Sequence, residues 1–160
     1  MARYNAWLNG RVYEAVSALP EDDYRGDLGL FFGSVHNTLN HLLVVDRLWG
    51  GRIEGVDRGV RALDEVLHDD FPSLRAAREA EDERLIALVD GLDDARLTAP
   101  VTYARIIGEG TQETRCDHVL MTLANHQTHH RGQVSAVLTQ AGHGHPPLDL
   151  VFFLEELGLS

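Results

Sequence analysis

The chain has no lysine: all fourteen of its basic side chains are arginine, set against 25 acidic residues for a net charge of −11. An acidic chain is repelled by nucleic-acid phosphates unless it gathers its cations on one face. Arg3, Arg11, Arg25, Arg47, Arg52, Arg58 and Arg61 are scattered among acids, so no nucleic-acid partner is expected. There is one cysteine, Cys116, which excludes an intramolecular disulfide and suits a reducing cytoplasm. No apolar run reaches the roughly 20 residues that span a bilayer. The opening Met1-Ala2-Arg3-Tyr4-Asn5 lacks the apolar core and cleavage site of a signal peptide. These absences lead to the expectation of a soluble cytoplasmic protein with no membrane partner. Its 160 residues fit a single domain, 1–160, able to bury a core unaided.

What the chain does contain is helical periodicity. Tyr4 to Leu19 carries Trp7, Leu8, Val12, Ala15, Val16 and Leu19 on one stripe and ends at Pro20. The glycine-rich but apolar stretch 26–33 reads as an ordered loop packed on the domain. Ser34 is placed as the N-cap of a second helix that Gly50-Gly51 stops. Residues 52–72 form a long connection, with a short helix expected over Val60 to Leu67. A third helix is expected from Ser73 to Leu92, with Leu74, Ala77, Leu85, Leu88 and Val89 inward. Arg75, Arg78, Glu79, Asp82 and Glu83 are assigned to its outer face. Val101-Thr102-Tyr103 and Gln112-Glu113-Thr114 flank Gly108-Glu109-Gly110 as a short hairpin. The strongest pattern, Asp117 to Gln140, makes the fourth helix, and Leu148 to Leu157 a last short one packed back on the rest. The fold class is all-α: a four-helix bundle with a short connecting helix or hairpin and a short C-terminal helix. The long second connection lets two successive helices run the same way.

Within the fourth helix stands Asn125-His126-Gln127-Thr128-His129-His130-Arg131-Gly132-Gln133. His126 and His130 are four residues apart, so their imidazoles share a helix face about one turn apart and can hold one metal ion. The third ligand must come from another element, and His41 on the second helix is the candidate. Three protein ligands leave a vacant position on the ion, the arrangement of a catalytic centre. The ligand set does not fix the ion; zinc or nickel is expected first, iron or manganese as alternatives.

The remaining histidines have plainer readings. His129 lies about 100° off the ligand face, a supporting or surface group, and Asp46 is a second supporting candidate. His36 and His118 near helix starts read as polar caps or solvent-facing groups; His68, His143 and His145 read as surface or loop residues. Gly132 inside a strong helix costs about 1 kcal/mol relative to alanine, which suggests close approach of a neighbour. Arg131 and Gln133 are expected to pin the facing helix by hydrogen bonds. Cys116 at the start of the fourth helix reads as a small buried residue.

Taken together, His126-Gln127-Thr128-His129-His130-Arg131-Gly132-Gln133 resembles the H-x-x-x-H-R-G-Q motif of DinB-like proteins. Ser34 to His41, followed by Asp46-Arg47-Leu48-Trp49, resembles that family's second helix with its first histidine ligand, and Tyr4-Asn5 with Trp7 its opening helix. The resemblance implies an up-down-down-up bundle related to YfiT-like proteins grouped as metal-dependent hydrolases. It implies a divalent metal on His41, His126 and His130, and a homodimer. Relatives include S-transferases using low-molecular-weight thiols and a thiol-dependent maleylpyruvate isomerase. The expected activity is therefore metal-dependent activation of water, in a hydrolase, or of a small thiol, in an S-transferase, on a small-molecule substrate. The alternative is a non-enzymatic metal-binding protein of the stress response.

Overall fold

The computed structural model describes residues 1–159. Seven helices and one hairpin follow in the order α1 (Ala2–Ser17), α2 (Glu21–Arg25), α3 (Val35–Glu54), α4 (Phe71–Asp90), α5 (Asp94–Thr98), β1 (Pro100–Ala104), β2 (Thr111–Arg115), α6 (Cys116–Gln140) and α7 (Leu150–Glu156). The long helices α1, α3, α4 and α6 make the bundle. Both α1 and α3 lie against α4 and α6, so α1 and α3 occupy opposite corners. Leu39, Leu42 and Leu43 of α3 meet Val12, Tyr13 and Val16 of α1, Leu74 of α4, and Val134 and Leu138 of α6 in the main core. A second core joins Ile53, Val101, Cys116, Val119 and Leu120, and seats the hairpin on the bundle. Cys116 is fully buried there, and burial pushes its thiol pKa up, as befits a packing residue.

The start of α3 is as expected: the Ser34 side chain accepts from the Asn37 N–H. Its end is not. Gly50 and Gly51 lie inside the helix, which runs on to Glu54 and stops at Gly55 in the left-handed region, φ 72°. The two earlier glycines serve packing instead. A Cβ on Gly51 would come within 2.6 Å of the Val56 carbonyl oxygen, where the returning chain crosses the helix.

No helix forms over Val60 to Leu67. Side chains take up backbone N–H groups along this stretch instead. Glu65 Oε1 accepts from the N–H of Arg61 and Ala62, and Asn40 Oδ1 accepts from those of Leu67 and His68 at 2.9 and 3.0 Å. Short helices form instead at α2 and α5, behind Pro20 and an Asp93 cap. The hairpin is present as an antiparallel pair, with Val101 opposite Thr114. In α7, Phe153 packs on Tyr4 and Trp7 as expected, while Val151 and Phe152 stay exposed.

The largest departure lies in α4. Arg78 and Asp82, assigned outward, are 2% and 7% exposed. Arg78 pairs with the fully buried Asp46 of α3 at 2.7 Å and with Asp82 at 3.0 Å. Asp82 accepts from Asn9 of α1, and Arg131 of α6 donates to Asn5, Asn9 and Gln127. The four long helices are thus joined through one polar network inside the bundle. Amphipathic periodicity assigned these charges to solvent; mutual pairing is what makes their burial tolerable.

Candidate metal centre and its cleft

Helix α6 turns His126 and His130 to the same side, and α3 brings His41 opposite them. Candidate ligand nitrogens of all three lie within 4.8 Å of one another. His41 Nε2 and His126 Nε2 are 3.0 Å apart, and the ring centroids of His126 and His130 are separated by 4.5 Å. Two imidazole nitrogens on one tetrahedral ion at about 2.0–2.1 Å sit a little over 3 Å apart.

The outward-turned nitrogens explain how the rings are oriented. His41 Nδ1–H donates to the Leu63 carbonyl oxygen at 2.6 Å, and His130 Nδ1–H donates to Gln133 Oε1 at 2.7 Å. With Nδ1 carrying the proton, each Nε2 presents a lone pair to the shared centre, as a metal ligand must. Phe32 stacks on His41 with ring centroids 3.9 Å apart, fixing its plane. His126 Nδ1 is buried with no protein partner. Burial lowers the pKa of all three rings, with repulsion from the neighbouring histidines adding to it at His126, which falls to about 3. Neutral imidazoles at pH 7 are the form that binds metal. The donor set and its supporting hydrogen bonds fit a divalent ion.

The centre opens into a cleft of about 690 Å³, walled by Phe31 and Phe32, by Leu63, and by Ile106 and Ile107 from the hairpin tip. Phe31 and Ile107 are 82% and 75% exposed, apolar lips across the mouth. His129 lines this cleft with its ring 4.8 Å from that of His130. Asp46 does not reach it; it belongs to the buried network with Arg78.

Gly132 is exposed with open space around its Cβ position, so no close approach explains it. Arg131 does pin a neighbouring helix, α1, but Gln133 turns to His130 instead. His36 is no cap: it is 3% exposed and hydrogen-bonded through Nδ1 to the Tyr24 hydroxyl at 2.8 Å. His118 is exposed as expected, and His143 pairs with Asp23 at 2.8 Å. Phe32 and Leu63 escaped the sequence reading, and Gln133 was given a different partner. Gln133, three residues after His130 on the same helix, carried a usable signal; the Leu63 carbonyl carried none.

The architecture and this centre define a class: helical-bundle proteins with three histidines converging from two helices onto an open cleft. The chain belongs to the DinB family, whose family model matches residues 1–157. It is similar to Protein DinB of Bacillus subtilis (strain 168), 27% identical over 158 residues that cover 94% of this chain and 90% of the relative.

Proposed function

We propose that the protein is a metal-dependent enzyme whose His41, His126 and His130 hold one divalent ion, zinc or nickel foremost. The observation that carries this reading is the orientation of His41 and His130: their Nδ1 groups are tied to Leu63 and Gln133, His41 Nε2 lies 3.0 Å from His126 Nε2, and the His130 ring stands 4.5 Å from that of His126. The ion would supply Lewis-acid activation of water or of a low-molecular-weight thiol. The chain's own contribution is to hold the rings neutral and oriented, to leave one side of the centre open, and to line that side with apolar walls. Such walls take a substrate with an apolar body and limit the water around the reacting atoms. The thiol S-transferase and hydrolase readings both use this arrangement. Family resemblance supports a homodimer, and the single buried Cys116 suits a reducing cytoplasm.

Elemental analysis of the purified protein beside His126→Ala and His41→Ala tests the centre. Near-stoichiometric metal in the wild type, lost in both variants, is expected; no metal in any sample after reloading with zinc, nickel or manganese would sink the proposal. Turnover on a thiol and ester panel then separates the enzyme from a non-catalytic metal-binding protein, which predicts metal-dependent stability and no turnover.

A further inference from the structure

On the other side of His41 and His126 from the main cleft lies a second lobe of about 300 Å³. It shares His41, Leu63, Ile106 and Ile107 with the main cleft, so the histidine centre sits in the partition between the two. Away from the histidines the lobe passes Val45 and Leu48 and reaches Arg52 and Arg105, which also line an adjoining depression of about 380 Å³. The lobe is therefore graded: histidines at one end, an apolar stem, arginines at the other.

These two arginines stand apart from their neighbours. Arg58 and Arg61 nearby are neutralised by Glu54 and Asp57. Among the described residues neither Arg52 nor Arg105 pairs with a carboxylate, in a chain with 25 acidic side chains. Arg52 is half-buried between two aromatic rings, its Cζ 4.3 Å from the Trp49 centroid and 4.2 Å from that of Tyr103. One of its five N–H donors goes to the Ala104 carbonyl oxygen at 2.9 Å. A guanidinium held in place by stacking, with donors to spare and no counter-ion, is preorganised for an anion. The net charge of −11 makes that local pair necessary, since the field of the whole molecule repels anions.

We propose that this lobe binds a small carboxylate-bearing molecule, its anionic head against Arg52 and Arg105 and its reactive end at the histidine centre. The main cleft is then left for a second, apolar reactant. The proposal rests on the reading of His41, His126 and His130 as the reacting centre, and it adds the substrate's charge and the residues that select it.

The test loads the full chain with cobalt and titrates two thiols of similar size, 3-mercaptopropionate and 2-mercaptoethanol, following the sulfur-to-cobalt absorption band. The carboxylate thiol is expected to bind about tenfold tighter to the wild type, as for one charge-assisted contact. Arg105→Gln, at an exposed position, should cut that preference to about twofold and leave 2-mercaptoethanol unaffected. Equal binding of both thiols to the wild type, or an undiminished preference in the variant, overturns the proposal. If neither thiol produces the band, the thiol reading of the centre fails separately, and the lobe is judged on the metal-free protein with 4-phenylbutyrate by saturation-transfer NMR. A signal in the wild type that drops in Arg105→Gln supports the lobe; equal signals, or none in the wild type, overturn it.

Discussion

Gly132 and Gly51 both lie inside long helices, and their surroundings set them apart. Gly132 is exposed with nothing near its Cβ position, so Gly132→Ala should stabilise the protein by about 1 kcal/mol through helix propensity alone. Gly51→Ala should destabilise it by about 1–3 kcal/mol, because the new methyl meets the Val56 backbone oxygen, which cannot swing aside. Thermal denaturation of the two variants reads both signs, and an equal response would contradict the packing described here. Among the site residues, Gln133 touches no ion but orients His130. Gln133→Ala should weaken metal binding about 10- to 100-fold while leaving the fold intact, as measured by competition with a chelator. Unchanged affinity would assign the orientation of His130 to Phe32 and its other neighbours.

At the scale of elements, the polar network among α1, α3, α4 and α6 replaces what an apolar seam would do in a simpler bundle. Asp46 and Arg78 offset each other's burial; burial pushes the Asp46 carboxyl up to about 6 against the pull of Arg78. Removing one partner strands the other, so Arg78→Met should cost about 3–5 kcal/mol. Replacing both, with Asp46→Leu beside Arg78→Met, should recover most of that loss, since two apolar side chains need no counter-charge. A double-mutant cycle by urea denaturation measures the coupling. Additive losses would mean that the pair acts through Asp82, Asn9 and Arg131 more than through each other. The same network runs through Gln127 and Arg131, which alternate along α6 with His126 and His130. One face of that helix therefore serves the metal centre while an adjacent one locks it against α1.

For the whole molecule, the balance of buried titratable groups sets how acid destabilises it. His36, His41, His126 and His130 are all held below the ordinary histidine value near 6.5, chiefly by burial. In the unfolded chain they take up protons as pH falls through about 6.5, while in the folded state they stay neutral until a lower pH. Their contribution to stability is thus fully present above pH 6.5 and is lost as pH falls below it. Asp46, raised to about 6, and Asp82, also raised by burial, work in the opposite direction, two groups against four. In metal-free protein the melting temperature should fall steadily from pH 7 to pH 5. His36→Gln, at a histidine that pairs with Tyr24 and is not one of the three ligands, should flatten that slope. An unchanged slope would show that His36 takes up its proton as readily in the folded chain as in the unfolded one.

The sequence by itself determined the long helices, the hairpin, and three histidines as one candidate centre. Local rules carry most of this: periodicity of 3.6 places His126 beside His130, Ser34 marks where a helix begins, and Gly108 with Gly110 marks where the hairpin turns. It also carried the family, because H-x-x-x-H-R-G-Q and the separate motif around His41 are each an unbroken stretch of the chain. What only the tertiary structure decided concerns partners that are remote in sequence. Arg78 and Asp82 look like surface charges until Asp46 and Asn9 are placed against them from other helices. The segment at 60–67 looks helical until Asn40 and Glu65 take its backbone N–H groups. Leu63 reveals nothing as a supporter of His41, since it acts through a carbonyl that every residue has. Periodicity reports which face of an element is apolar; it says nothing of which polar groups will find one another once those faces meet.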